Sequence, residues 1–239
     1  MGAPGTARAR ARAELTREIL AVARRQLATV GAGQLSLRAV ARELEMVPSG
    51  LYRYFASRDD LLTALIIESY DAVGDRAERA RAEAVENDHR GQWRAVCDSV
   101  RGWAVTYPQE FALIYGSPVP GYQAPADTVA PGGRVYLLLL DIVGASSHAG
   151  QLIPPRTEPP LRTTLAEDAT ALLSTFHVSG LPPAVLLRAM TAWTQILGAI
   201  SQELFGHLDL AFRDNAEFFG YTVELMADVV GLPPRREAP

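Results

Sequence analysis

The sequence predicts an all-α protein in two parts, an N-terminal helix-turn-helix bundle of three helices and a larger C-terminal helical domain. Apolar residues recur at a spacing of three and four along most of the 239 residues, and no stretch shows the period of two that a half-buried strand requires. Serine, proline and glycine also fall where helical runs should start and stop.

The elements follow in order. From Leu15 the apolar positions Ile19, Val22, Ala23, Leu27 and Val30 trace a first helix, which Gly31 and Gly33 end. Ser36 stands as an N-cap, its hydroxyl placed to accept from an otherwise unpaired amide, ahead of Leu37, Val40, Ala41 and Leu44 on one short face. After a break at Glu45, Met46 and Val47, Pro48 occupies a first helical turn, and Leu51 and Phe55 share a buried face. Ser57 caps a fourth helix, with Asp59 and Asp60 where negative charge suits the helix dipole. Its buried stripe runs through Leu61, Leu65, Ser69 and Val73, and the helix extends past residue 80. Helices then follow around Trp93 to Tyr107, from Pro108 to Tyr115, and from Arg134 to about Ala149. Loops are expected at 116–133 and around "IPPRTEPP". Two further helices, Pro183 to Phe205 and Leu210 to Val230, close the chain. There is no internal repeat.

Charge is unevenly placed. All 23 basic residues are arginine, which with the abundant alanine reads as the mark of a GC-rich coding genome. Residues 1–60 hold ten arginines against six acids, a balance of +4, while residues 61–239 hold thirteen against twenty-one, a balance of −8. A basic front on an acidic body points to a polyanion met by the front alone. The longest uniformly apolar run, residues 135–140, stops at Asp141, short of the roughly 18 residues of a membrane span. Charges after the N-terminus speak against a secretory signal. One cysteine, Cys97, excludes an internal disulfide and a thiolate zinc cage. The expected location is cytoplasmic.

The stretch "VPSGLYRYFASRDDLL" carries the chemistry. With Leu51 and Phe55 inward, Ser49, Gly50, Tyr52 and Arg53 turn outward. Tyrosine donates to phosphate oxygens, arginine grips phosphate or guanine in two prongs, and small residues permit close approach. The cluster reads as a DNA-facing surface.

"LSLRAVARELEMVPSGLYRYFASRDDLLTAL" resembles the DNA-binding module of the TetR family of transcriptional repressors, with Leu51-Tyr52, Phe55 and Ser57-Arg58-Asp59 in the family's positions. The resemblance implies that Ser36, Ser49, Gly50, Tyr52, Arg53 and Arg58 face DNA, and Arg38 and Pro48 are counted with them. It departs at the turn, where glycine is usual and this chain has Glu45, and where Val47 replaces a frequent capping serine. Glu45 implies a turn that avoids positive φ. Arg8, Arg10 and Arg12 form either a minor-groove arm or a solvated terminus.

The domains expected are 1–56 for DNA binding and 57–239 for ligand binding and dimerisation. The second resembles a TetR subgroup with a Trp-x3-His-Gly signature: Trp193 and Gly198 match, and Leu197 replaces the histidine. The resemblance implies a homodimer through the last two helices. Val185, Ala189, Trp193, Ile196 and Ile200 form a stripe on one, Phe218, Phe219, Thr222, Met226 and Val229 on the other, and apolar residues off the stripes, such as Leu186, Leu204 and Val223, give more apolar surface than one core needs. Trp103, Tyr107, Phe111, Tyr115, Trp193 and Ile196, with His148, are candidates to line a pocket for a largely apolar or aromatic small-molecule effector. An aromatic stripe is also what simple core looks like.

No histidine pair is spaced for a metal, "GAGQLS" follows no strand, and "GASSH" lacks the closing glycine of a nucleophile elbow. No catalytic residue, metal or cofactor is expected. The reading is a ligand-responsive homodimeric repressor on a palindromic operator. The alternative is a helical small-molecule- or partner-binding protein without operator binding.

Overall fold

A computed structural model describes residues 4–234, with side chains from residue 7 onward. The outermost residues of the two expected domains, 1–3 and 235–239, lie outside the described residues. The described residues form α-helices and no strand: α1 (Pro4–Val30), α2 (Leu37–Glu43), α3 (Pro48–Leu51), α4 (Arg58–Glu83), α5 (His89–Thr106), α6 (Pro108–Tyr115), α7 (Val129–His148), α8 (Thr163–Thr175), α9 (Pro183–Leu204) and α10 (Asn215–Val230). The all-α expectation holds.

The chain forms two compact units, residues 1–71 with 107–132, and residues 72–106 with 133–239. In the first, α1 contributes Ile19, Leu20, Val22 and Ala23 to a buried core. Leu37, Val40 and Ala41 of α2, Leu51 and Phe55 around α3, and Leu61, Leu62 and Leu65 of α4 complete it. Each large aliphatic buried there contributes about 1.5–3 kcal/mol. Pro48 sits in the first turn of α3, as expected. At the start of α4 the Ser57 hydroxyl accepts from Asp60 N–H at 3.0 Å while the Asp60 carboxylate accepts from Ser57 N–H at 3.0 Å, a reciprocal capping box. Ser36 takes the extended N-cap conformation, but its hydroxyl makes no capping bond.

α6 belongs to this first unit because polar groups tie it there. Arg24 of α1 places Nε 3.2 Å from Glu110 Oε1 and Nη2 2.7 Å from Glu68 Oε2. Ser69 Oγ donates to Glu110 Oε2 at 3.2 Å. Burial raises the Glu68 carboxyl above its ordinary value, and Arg24 offsets part of that rise. The segment after α6 is packed rather than loose: Val119 and Tyr122 lie against the bundle core, and the Tyr122 hydroxyl is 2.9 Å from Thr63 Oγ1.

The turn between α2 and α3 corrects an expectation. Glu45 does not avoid positive φ; it sits at φ 55°. The turn is closed by Met46 N–H donating to Ala41 O at 2.9 Å and Glu45 N–H donating to Arg42 O at 3.1 Å. That geometry needs a left-handed residue whatever its side chain. A β-carbon there costs about 1–2 kcal/mol, and glycine's looser unfolded chain offsets part of it. Glu45→Gly is therefore expected to stabilise the protein by about 0.5–1 kcal/mol in urea unfolding; a loss of stability would show that the Glu45 side chain holds the turn.

In the second unit α9 packs along α10, α8 lies beside α9, and α5 meets both α9 and α10. Arg101 of α5 bonds bidentately to Glu203 at 2.5 and 2.7 Å and stands 5.6 Å over the Phe219 ring. Arg90, buried, pairs with Glu224 at 2.9 Å and with Asp228. Gly231 ends α10 at φ 90°, where a β-carbon would stand 2.5 Å from Ile153 O, so only glycine fits.

Several boundaries moved. α1 begins at Pro4 and α7 at Val129, both earlier than the apolar stripes suggested: α1 takes in an alanine- and arginine-rich stretch ahead of Leu15, and α7 takes in Val129 to Gly133. α10 begins at Asn215 rather than Leu210, since the Asp214 carboxylate caps Ala216 and Glu217 N–H at 2.8 and 3.2 Å. α8 was not expected; it buries only Ala169 and Leu173, too thin a stripe to stand out. Two helical spans, 126–148 and Pro183–Leu204, are long and apolar enough to cross a membrane by length and composition. Each carries charged residues held in ion pairs, Arg134 and Asp141 on one, Arg188 and Glu203 on the other.

Candidate nucleic-acid interface

The helix-turn-helix presents a polar edge because its apolar residues are spent on the core. Leu51 is fully buried, and its neighbours Pro48, Ser49, Tyr52 and Arg53 are exposed, Tyr52 at 45%. Arg38 is exposed, while Ser36 and Gly50 are half-buried. Ser36, Arg38, Tyr52 and Arg58 line one open cleft of about 440 Å³. Two segments some fifteen residues apart in sequence thus supply one surface. Among the described residues Arg38, Arg42 and Arg53 make no ion pair, which leaves three cations of this edge available to an anion.

Arg58 differs from the others. Its Nη2 donates to Ala32 O at 2.7 Å and Gly33 O at 3.3 Å, its Nε donates to Leu35 O at 3.2 Å, and Asp59 lies 3.6 Å away. The guanidinium ties the segment between α1 and α2 to the start of α4, so one wall of the cleft depends on it. The resemblance implied that Arg58 faces DNA, and nothing local in the sequence points to those carbonyls.

Arg12, expected either in a minor-groove arm or in a solvated terminus, is exposed but helical and has partners. It lies within α1, its guanidinium 5.0 Å from the Tyr54 ring centroid, and its Nη2 donates to Arg53 O at 3.3 Å. Tyr54 is accordingly half-buried rather than outward like Tyr52.

The pocket candidates divide between the two units. Tyr107, Phe111 and Tyr115 belong to the first, where the Phe111 and Tyr115 rings stand 5.3 Å apart and Tyr115 meets Tyr70 edge-on at 5.9 Å. Burial pushes the Tyr115 hydroxyl well up from its ordinary value. Phe111 is fully buried and Tyr107 is 44% exposed. In the second unit Trp103, Trp193 and Ile196 are buried on α5 and α9, which pack against each other. His148 is exposed, its Nε2 only 2.9 Å from where a β-carbon on Gly180 would stand. A cleft of about 740 Å³ in the second unit is lined by none of these candidates; polar Asp88, His89 and Gln151 share it with apolar Val85, Pro233 and Pro234. Cys97 is buried, and burial, reinforced by Asp98, raises its thiol well above the ordinary value, which leaves it a poor nucleophile. No group of three metal-ligating side chains occurs among the described residues.

Comparison with known proteins identifies the family. Residues 19–65 match the family described as bacterial regulatory proteins, tetR family, and residues 93–226 match the tetracyclin repressor-like C-terminal domain. The chain is 39% identical over 197 residues to the HTH-type transcriptional regulators Rv1816 of Mycobacterium tuberculosis and Mb1846 of Mycobacterium bovis, 82% of this chain and 83% of each relative. Among solved structures it is similar to SCO4313, with a TM-score of 0.73, 30% identity and coverage of 92% of this chain and 98% of that one. A Rhodococcus sp. RHA1 protein follows at 0.66 and 25% identity, covering 90% of this chain and 93% of its own. The helix-turn-helix with its polar edge, the matched N- and C-terminal domains and the relatives agree: this chain belongs to the TetR family of DNA-binding transcriptional regulators.

Proposed function

We propose that the protein is a homodimeric, ligand-responsive repressor that binds a palindromic operator and is released by a small, largely apolar or aromatic effector. The observation that carries the DNA-binding part of this reading is the single cleft formed by Ser36, Arg38, Tyr52 and Arg58 beside the exposed edge Pro48–Arg53. Tyr52 and Arg53 make the outward contacts, Ser49 and Gly50 allow close approach, and Arg58 holds the wall. Residues 1–56 supply DNA recognition, and the remainder supplies the ligand site and the dimer contact. Such a protein acts on chromosomal DNA, hence in the cytoplasm.

A dimer is supported by apolar residues that α9 and α10 leave uncovered. Met190 and Leu197 share a face of α9 with Thr194 and Ser201, and Phe218, Tyr221 and Leu225 share a face of α10, with Tyr221 67% exposed. A two-fold partner that covers both faces would present two copies of α3 to two half-sites, which makes the operator an inverted repeat. Effector and DNA then favour different spacings of the two recognition helices. Coupling of about 1–3 kcal/mol changes occupancy by one to two orders of magnitude.

Gly50 gives a test that separates folding from docking. A β-carbon there meets Met46 at 3.5 Å and Val47 at 3.7 Å, ordinary van der Waals contact. Gly50→Ala is expected to keep or raise the unfolding midpoint, since alanine gains about 0.5–1 kcal/mol in a helix, while operator affinity falls at least tenfold. An unchanged affinity would show that this edge does not approach DNA closely.

A further inference from the structure

α1 runs on past the bundle it helps to build. Its core stripe passes from Ile19, fully buried, to Leu15, half-buried. At about 100° per residue, Arg12 and Arg8 lie within about 40° of that same direction. Arg10 and Arg17 lie on the opposite side, and Glu14 and Glu18 fall outside the stripe. Where α1 leaves its apolar neighbours, its inner face changes from apolar to cationic.

That inner face meets the DNA-facing element. Arg12 stacks on Tyr54 at 5.0 Å and donates to Arg53 O at 3.3 Å, while Tyr54 packs against the bundle core. Arg8, one turn earlier, is exposed and makes no ion pair among the described residues. An α-helix with side chains is about 10–12 Å across, too wide for a minor groove of about 6 Å. The helix itself therefore stays outside the groove, where its arginines face the phosphate backbone.

We propose that the N-terminal extension of α1 is a rigid phosphate clamp: Arg8 binds a backbone phosphate flanking the α3 contact, and Arg12 is a positioning residue that holds the C-terminal end of α3 through Tyr54 and the Arg53 carbonyl. The proposal rests on the DNA-facing reading of α3 given above. It makes Arg8 and Arg10, two residues apart in an arginine run, unequal.

The test measures affinity for a mixed-sequence duplex of about 30 base pairs across a salt series, because a phosphate contact is independent of sequence. Arg8→Ala is expected to lower the slope of log affinity against log salt by about 0.9 per protomer. The double variant Arg10→Ala, Arg17→Ala removes twice the charge and should lower it by less. Arg12→Ala and Tyr54→Leu should weaken binding several-fold with a smaller change of slope than Arg8→Ala, whereas Tyr54→Phe, which keeps the ring, should bind like the parent. Equal slopes for the Arg8 and Arg10/Arg17 variants would reduce the extension to general charge and overturn the clamp. Parent-like binding by Arg12→Ala would overturn the positioning role. A parent chain without affinity for duplex at any salt would overturn the α3 reading and the clamp with it.

Discussion

A chain carrying Tyr52→Ala and Arg53→Ala together is expected to fold like its parent and to lose operator affinity by about two to four orders of magnitude. Both side chains are exposed, and surface substitutions of this kind move stability by only about 0.5 kcal/mol. Residue 53 accepts from Arg12 through its carbonyl oxygen, which alanine keeps. A well-placed arginine contact to a base is worth about 1–3 kcal/mol, and a dimer loses it at both half-sites. Operator titration at fixed salt reads the loss, and thermal unfolding guards against a folding defect. Parent-like affinity would remove Tyr52 and Arg53 from the interface.

Arg24→Leu carries the largest expected cost to stability. The Glu110 side chain is 8% exposed, and its carboxylate meets Arg24 Nε at 3.2 Å and accepts from the Ser69 hydroxyl at 3.2 Å. Breaking a buried ion pair by removal of one partner costs about 3–5 kcal/mol. Arg24 itself is 38% exposed, which argues for the lower end, about 3 kcal/mol. The pH dependence has a definite sign. Burial already raises the Glu68 carboxyl above its ordinary 4.5, and Arg24 opposes that rise. A carboxyl raised in the folded state favours folding when protonated and disfavours it once ionised, so its contribution is lost as pH rises through the folded value. Without Arg24 the rise grows. The deficit of Arg24→Leu should therefore be largest near neutral pH and shrink as pH falls toward the carboxylate range, as read by urea unfolding at a series of pH values. A deficit independent of pH would point to lost packing of the arginine stem.

Much of the fold was legible because most helices bury one stripe of regular spacing. Ser57 as a cap, Pro48 in the first turn of α3, and Leu51 with Phe55 all read directly from local rules. What escaped was set by partners distant in sequence. α8 buries two residues and so shows little periodicity. Glu45 adopts a left-handed conformation because the two flanking helices dictate the turn. The polar edge of α3 was legible from the inward spacing of Leu51 and Phe55. The engagement of Arg58 with three carbonyls, and of Arg12 with Tyr54, was not, since each joins residues more than twenty positions apart. The pocket candidates were the least legible, because a buried aromatic reads the same in a core and in a ligand site.

The most direct test of the central claim is selection of binding sites by the full-length protein from a pool of random duplexes. The expected result is an enriched inverted repeat, one half-site per protomer, that the Tyr52→Ala, Arg53→Ala variant fails to recover. No enrichment by a folded protein, or a single asymmetric site bound by one protomer, would contradict a dimeric operator-binding repressor.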